Sequence, residues 1–251
     1  MDSWSKRRKL IYALILVAII LVVIGLPSFL IFYKAPTCFD GKQNGGEQGV
    51  DCGGKCTKLC QNEFLPPSVA WSRIENVVPG VYNAAAYIIN PNNTGEAKNV
   101  PYHMELYDKD GMLIVEKKGT VTIPPGRNTL AFTSLIKVDK SIPAKVLFEF
   151  TSLPDWNKKA DTLDPLVVVS KEYKEEGNTS SLLVTLRNDG LKILNNIGVY
   201  VVLYDKSGNS IGFSKTVLDS ILPKATSLAP FTWNTNRQGE VVSIEVLYVA
   251  E

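Results

Sequence analysis

The chain has 251 residues, of which 45% are hydrophobic and 21% are charged, and its formal net charge is +2. This length suffices for one large or two small folded domains, while the scattered, nearly balanced charge excludes a typical nucleic-acid-binding protein. His103 is the one histidine, which excludes acid–base or metal chemistry built on histidine pairs. We therefore expect no nucleic-acid partner.

The most hydrophobic segment lies near the N-terminus. No charged residue occurs from residue 10 to residue 33. As an α-helix this run would be ~36 Å long, against a hydrocarbon core of ~30 Å, so it predicts one transmembrane helix. Pro27 is expected to kink or end that helix. A Lys-Arg-Arg-Lys run precedes it, so residues 1–9 are predicted to be cytoplasmic and residues 35–251 extracytoplasmic.

Two other interpretations of this segment fit it less well. A cleaved signal peptide has a hydrophobic region of ~7–15 residues and a small-x-small cleavage site, whereas this run is longer and ends in Phe-Leu-Ile-Phe-Tyr. A lipoprotein would use Cys38, which follows the run. Ala35 and Pro36 are poor matches to the residues that a lipobox needs before its cysteine.

All four cysteines lie in one short stretch, as Cys38, Cys52, Cys56 and Cys60. Zinc ribbons place their cysteines in two close pairs, a spacing that is not present here. Outside the cytoplasm cysteines oxidise, and a segment too short for a core needs crosslinks. We therefore predict two disulfides, with all three possible pairings open.

The same stretch carries oxygen-bearing side chains at intervals of three or four residues, at Asp40, Asn44, Glu47 and Asp51. Calcium binds ~6–8 oxygen ligands, and the intervening glycines let a loop curl around an ion. The alternative is that Asp-Gly and Asn-Gly form ordinary turns. The EF-hand spacing does not match. Calcium is thus the one cofactor that the sequence leaves open, and no other is expected.

The cysteine stretch also resembles small cysteine-rich modules of surface proteins. The resemblance covers residues 38–60 and is carried by the core Glu-x-Gly-Val-Asp-Cys-Gly-Gly-x-Cys at residues 47–56. It implies an extracellular, disulfide-stabilised module beside a membrane or domain boundary. No catalytic role is implied.

An internal repeat is visible in the rest of the chain. The sequence Leu-Tyr-Asp-Lys-x-Gly occurs at residues 106–111 and again at residues 203–208. Further matches, at an offset of 97 to 99 residues throughout, are Asn90 with Asn188, Ile123-Pro124 with Ile221-Leu222, and Phe132 with Phe231. Several matches in the same order at one offset indicate a duplication.

Each copy contains an alternating segment followed by a turn. The predicted inward residues are Tyr102, Met104 and Leu106 in the first copy and Val199, Val201 and Leu203 in the second. Such alternation is typical of a half-buried β-strand. Asp108 and Asp205 begin the turns, in which Gly111 and Gly208 are expected to have a positive φ. We therefore interpret these aspartates as turn residues rather than catalytic ones.

Both copies resemble FxLYD-type domains, which carry a strand ending in Leu-Tyr-Asp, a glycine turn, a proline-containing turn and a phenylalanine-bearing strand. The match is clearest in residues 182–233. The resemblance implies two tandem immunoglobulin-like β-sandwiches in a cell-envelope protein. The predicted organisation is a cytoplasmic tail (1–9), a transmembrane helix (10–33), a cysteine-rich juxtamembrane module (34–62), a first β-sandwich (63–154), a linker (155–165) and a second β-sandwich (166–251).

Little in the sequence indicates catalysis. Motifs of serine hydrolases, zinc proteases and phosphate-binding loops are not present. His103 falls on the outward set of its strand, and Trp71, Trp156 and Trp233 are expected to pack at sandwich edges or domain junctions. We predict a membrane-anchored, non-enzymatic interaction or adhesion protein with an unknown protein or glycan partner. The alternative is a structural or assembly subunit of a secretion or pilus-like envelope complex.

Overall fold

The computed structural model describes residues 2–139, 141–159, 165–234 and 239–250. They form a mainly β protein with one N-terminal helical segment, as the sequence predicted. The chain divides into two compact units, Met1–Cys56 and Thr57–Glu251.

The first unit begins with a continuous helical segment. It consists of α1 (Asp2–Ile20), a π-helical stretch (Leu21–Gly25) and α2 (Leu26–Phe32). The 29-residue stretch from Trp4 to Phe32 is long enough and apolar enough to cross a membrane. By length and composition, a helix of this kind near an N-terminus fits a membrane anchor or a signal sequence.

The π-helical stretch ends two residues before Pro27, and the helix continues past this proline. Proline has no N–H for the carbonyl four residues back, and its ring crowds that carbonyl, which here belongs to Val23. One step earlier, the N–H of Leu26 donates to the carbonyl of Leu21, five residues back. Since α2 extends to Phe32, Pro27 does not end the helix.

Within the described residues, the second unit contains thirteen strands, in two sets of six and one short additional strand. The first set is β1 (Ser68–Val78), β2 (Val81–Ile89), β3 (Gly95–Tyr107), β4 (Leu113–Ile123), β5 (Thr129–Lys137) and β6 (Lys145–Phe150). The additional strand is β7 (Trp156–Lys158). The second set is β8 (Leu166–Glu176), β9 (Thr179–Asn188), β10 (Leu194–Tyr204), β11 (Ser210–Ile221), β12 (Thr226–Asn234) and β13 (Ser243–Ala250).

The two sets of strands, called repeat 1 and repeat 2 below, have the same topology. Repeat 1 forms the sheets β1-β2-β5 and β4-β3-β6, with β7 also paired to β3. Repeat 2 forms β8-β9-β12 and β11-β10-β13, which match strand for strand. In both repeats the first strand carries an irregularity at the same place, between Val69 and Trp71 and between Val168 and Ser170.

Each repeat has its own hydrophobic core between its two sheets. The predicted inward residues of β3 and β10 are all buried, which confirms the predicted alternation. The turn prediction is also confirmed. Asp108 Oδ1 accepts the backbone N–H of Asp110 and Met112, and Asp205 Oδ1 accepts those of Ser207 and Asn209. The glycines of both turns have a positive φ, 78° at position 111 and 77° at position 208.

One match in the predicted repeat is wrong by one residue. Phe231 lies in the core of repeat 2, whereas Phe132 points out of repeat 1. The strand register pairs Phe132 with Ala85 and Phe231 with Leu182, so the two rings belong to opposite faces of equivalent sheets. Because side chains alternate along a strand, an error of one residue exchanges the two faces.

A third hydrophobic cluster joins the two repeats. The outer face of β1-β2-β5 packs on the outer face of β11-β10-β13, through the buried residues Ala85, Tyr87, Leu130, Tyr200, Val202, Phe213 and Val249. Ring centroids of Trp71 and Phe213 lie 6.2 Å apart, and those of Phe132 and Phe213 lie 6.1 Å apart. The repeats therefore form a stack of four sheets with three hydrophobic layers.

The segment that enters the β unit is attached to repeat 1 by β7, which lies in the predicted linker. Leu59 N–H donates to the carbonyl of Trp156 at 2.9 Å, and Lys158 N–H donates to that of Thr57 at 2.7 Å. Phe64 stacks on Trp156 with 5.4 Å between ring centroids. Trp156 is buried in the core of repeat 1, as expected for a packing tryptophan.

Candidate functional site

The cysteines are oxidised, as predicted. A disulfide joins Cys38 to Cys56, which closes a loop with a sequence separation of 18 residues. Cys52 and Cys60 are also disulfide-bonded, and no cysteine is free. The four sulfurs are therefore not thiolates, which are the form that binds zinc.

The three carboxylates of the cysteine stretch accept hydrogen bonds from nearby backbone N–H groups, whereas the side-chain oxygen of Asn44 is buried and has no hydrogen-bond partner among the described residues. Asp40 accepts from Lys42 N–H at 3.0 Å and from the amide of Asn44 at 3.0 Å. Both carboxylate oxygens of Asp51 lie 3.0 Å from Gly41 N–H. The amide of Asn44, followed by the backbone N–H groups, lowers the pKa of Asp40 below its usual value.

Glu47 lies further inside the loop. Its Oε2 accepts the backbone N–H of Asn44 at 3.2 Å and that of Asp51 at 3.3 Å. Among the described residues, one group of three metal-ligating residue types comes together, Cys38, Glu47 and Cys56. Two of its members share the disulfide, so this group offers a single carboxylate. The carboxylates have the contacts expected of turn residues, and calcium binding stays a prediction.

The one histidine lies on an outer sheet face. His103 Nε2 is 3.4 Å from a carboxylate oxygen of Glu149 and 4.0 Å from one of Glu105. Tyr107 donates its hydroxyl proton to Glu105. These side chains occupy the outer face of β4-β3-β6, opposite to the face that covers the core of repeat 1.

A groove with a volume of about 1040 Å³ lies on the surface of the β unit. It lies at the flank of the junction between the repeats, along Ser72–Asn76 of β1, Ser210–Phe213 of β11, and residues 142–146, which join the loop before β6 to the start of that strand. Ile142 is 76% exposed at its rim. Ligand sites are most often such large concave surfaces with apolar walls and a few polar groups.

The polar groups of the groove come mainly from β1. Glu75 Oε2 accepts the backbone N–H of Phe213 at 3.4 Å and so links the two walls. Arg73 is exposed, and its charge helps to lower the pKa of Asp205, after the main effect of Asn209 N–H. Ser210 is 7% exposed, and its hydroxyl has no hydrogen-bond partner among the described residues.

A carboxylate lies beside the hydrophobic layer of the junction. Glu245 accepts a hydrogen bond from Tyr87 Oη at 2.7 Å and another from Tyr204 Oη at 2.8 Å. Asn128 Nδ2 donates to Tyr87 Oη at 2.9 Å. Burial and then Glu245 raise the pKa of Tyr87 to about 12, and the same causes raise that of Tyr204. These groups hold the two repeats together.

Neither the groove nor this junction cluster was predicted. Both depend on contacts between strands more than 100 residues apart, such as Tyr87 with Glu245. One signal in the sequence does mark the groove. The equivalent edge strand β8 carries five charged residues, whereas β1 carries Arg73 and Glu75 alone.

Comparisons with known proteins do not assign a family. No family model matches the chain, and no curated protein matches it. Red sea bream transglutaminase is a similar solved structure, with a TM-score of 0.25 and 10% identity over 74% of this chain and 29% of that one. A putative beta-galactosidase from Bacteroides fragilis has a TM-score of 0.20 and 11% identity over 68% of this chain and 32% of that one. The chain thus spans about a third or less of either.

Proposed function

We propose that this protein is a single-pass, membrane-anchored interaction protein whose β unit lies outside the cytoplasm and has no catalytic activity. The observation that carries the proposal is the continuous stack of four sheets, which presents a groove with apolar walls. In this proposal each repeat is an immunoglobulin-like sandwich of the FxLYD type. The shared strand order and the two separate cores support that assignment.

The proposed orientation depends on the N-terminal segment. The basic run at residues 6–9 favours a cytoplasmic N-terminus, and the disulfides fit an oxidising compartment for the remainder of the chain. A membrane-impermeant maleimide tests this arrangement on intact cells. Ser181→Cys, at an exposed position of β9, should react without lysis, whereas Ser5→Cys should react only after lysis. The opposite pattern would overturn the orientation.

The interaction role is tested by photocrosslinking on intact cells. Photoreactive groups at Ile142 in the groove and at Leu228 on the outer face of β12 sample two exposed sites. Adducts to extracytoplasmic proteins or glycans support the interaction role. Adducts confined to subunits of one envelope complex would favour the alternative, a structural or assembly subunit. If neither photoreactive group captures a protein or a glycan, the interaction role and the assembly role would both be contradicted.

A further inference from the structure

We propose that Asn178 carries an N-linked glycan and that Asn92, the first residue of the other matching triplet, does not. The inference rests on the extracytoplasmic position of the β unit in the proposed function. N-linked glycans are attached to the asparagine of the triplet Asn-x-Ser/Thr, in which x is not proline. The chain has two such triplets, at residues 92–94 and 178–180. Because short triplets also occur by chance, their places in the fold decide between them.

The side chain of Asn92 is part of the fold. Asn92 is 8% exposed, and its Oδ1 accepts the backbone N–H of Leu65 at 2.9 Å. Its Nδ2 donates to the carbonyl of Leu65 at 2.8 Å and to Asn90 Oδ1 at 3.1 Å. A sugar on Nδ2 would replace one of the two amide protons and would have to lie where the chain is packed. The folded structure is therefore incompatible with a glycan at Asn92.

The side chain of Asn178 has the opposite environment. With Gly177 it forms the two-residue turn between β8 and β9, and it is exposed. The hydroxyl of Thr179 donates to the carbonyl of Glu176 at 3.1 Å across this turn. The space beside the turn is open, since a Cβ placed on Gly177 would have no heavy atom within 4 Å. A glycan on Asn178 would thus extend into solvent.

The equivalent hairpin of repeat 1 shows that the fold does not require this triplet. Its turn consists of Pro79 and Gly80, between β1 and β2. Ser180 is the second residue of β9, and the second residue of β2 is Tyr82, which packs against the core of repeat 1. The acceptor asparagine and the serine are therefore both particular to repeat 2.

Packing does not account for the serine of the triplet. Ser180 is 2% exposed, and its hydroxyl has no hydrogen-bond partner among the described residues. The inner positions that follow it in β9 are Leu182, Val184 and Leu186, which lie in the core of repeat 2. A buried hydroxyl without a partner lowers stability. Recognition of the triplet before folding gives this hydroxyl a role, because the triplet requires a hydroxyl two residues after the asparagine.

The glycan must be transferred before β9 packs, since Ser180 is buried afterwards. The co-reactant is an oligosaccharide carried on a lipid phosphate. Asn178 Nδ2 forms a bond to the anomeric carbon of the sugar, and the bond from that carbon to the phosphate oxygen breaks. The amide loses one of its two protons to the departing phosphate. No electrons are gained or lost, so neither an oxidant nor a reductant takes part.

Mass spectrometry of the full chain, purified from the membranes of the cells that produce it, tests the assignment. Peptides that contain Asn178 should carry a glycan, and peptides that contain Asn92 should not. Asn178→Gln and Ser180→Ala should each abolish the glycan, whereas Ser180→Thr, which preserves the triplet, should retain it. Thr94→Ala is the matched control. It destroys the other triplet at an exposed residue and should leave the glycan in place.

Three results would overturn the inference: an unmodified Asn178, a glycan that persists in Ser180→Ala, or a glycan that Thr94→Ala removes. Thermal unfolding of Ser180→Ala separates recognition from packing, because its midpoint should not fall when the glycan is lost. The maleimide reaction of Ser181→Cys reports the orientation independently. If that cysteine reacts on intact cells while Asn178 is unmodified, the glycan is rejected and the proposed orientation stands.

Discussion

The outer faces of two equivalent sheets have opposite characters. In repeat 1 the outer face of β4-β3-β6 is charged and borders solvent, whereas in repeat 2 that of β11-β10-β13 is buried and largely apolar. The equivalent pairs are His103 and Tyr200, Glu105 and Val202, Glu116 and Phe213, and Glu149 and Leu247. The same backbone therefore carries either a surface or an interface, depending on these side chains.

This difference makes the two end faces of the stack poor sites for a further sheet. The junction between the repeats is a heterologous contact, and such a contact would continue if the end faces matched the joined ones. Carboxylates on the open face of repeat 1 make its burial costly, because charged groups lose hydration there. On the other end face, Ser170 and Thr185 stand where Trp71 and Tyr87 stand in the junction. Both ends are thus more polar than the junction.

The largest expected effect comes from placing a carboxylate, as found on the outer face of repeat 1, in the buried junction between the repeats. Val202→Glu introduces at a fully buried junction position the residue that repeat 1 has at Glu105. An unpaired buried charge should lower the free energy of unfolding by about 4 kcal/mol, or separate the repeats. Urea unfolding followed by tryptophan fluorescence measures this change.

The matched control is Glu105→Val, which makes the reverse exchange at a half-buried position on the outer face of repeat 1. Its free energy of unfolding should change by less than about 1 kcal/mol, since no hydrophobic layer forms there. Equal losses in both variants would show that the two faces do not differ as described.

A smaller effect is expected where the junction carries a carboxylate. Glu245→Leu introduces the residue of the equivalent position in repeat 1, Leu147, and removes the acceptor for the hydroxyls of Tyr87 and Tyr204. Leaving these hydroxyls without an acceptor should cost about 2 kcal/mol of unfolding free energy. Leu147→Glu, at a partly exposed position, should cost much less. Thermal unfolding by circular dichroism compares the two variants.

Alkaline pH should weaken the junction through Tyr87. Its pKa is about 12 in the folded protein, above the unfolded value of about 10. The neutral phenol therefore contributes stability that is complete below pH ~10 and is lost as the pH rises towards ~12. Between pH 9 and pH 11 the free energy of unfolding should fall by about 1 kcal/mol more in the unmodified chain than in Tyr87→Phe. Parallel urea titrations at both pH values provide the comparison, and identical losses would contradict the assignment.

The smallest effect on the β unit is expected from reduction of the disulfides. Hydrogen exchange should become faster in residues 38–56, where the Cys38–Cys56 bond closes a loop without a hydrophobic core. Strands β2 and β10 should keep their protection, because both lie at the centre of sheets with their own cores. Loss of protection in these strands under reductant would show that their stability depends on the crosslinks.

Much of the fold could be predicted because its signals are local. The helix follows from a charge-free run, the turns at Asp108 and Asp205 from residue types that bond their own backbone, and the inward set of β3 from strict alternation. The false match of Phe132 with Phe231 shows the limit of this approach. Sequence similarity does not fix strand register, and a shift of one residue exchanges core and surface.

The sequence by itself determined the membrane-length helix, the oxidisable cysteine stretch, the duplicated strand order and the turns, because each depends on neighbours within a few residues or on one repeated pattern. Only the tertiary structure decided which outer faces meet and that Glu245 joins two tyrosines. Side chains such as Tyr200 and Glu105 alternate along their strands in the same way, whether solvent or another sheet covers that face. Burial of that face is therefore a property of the packed sheets and not of the strand.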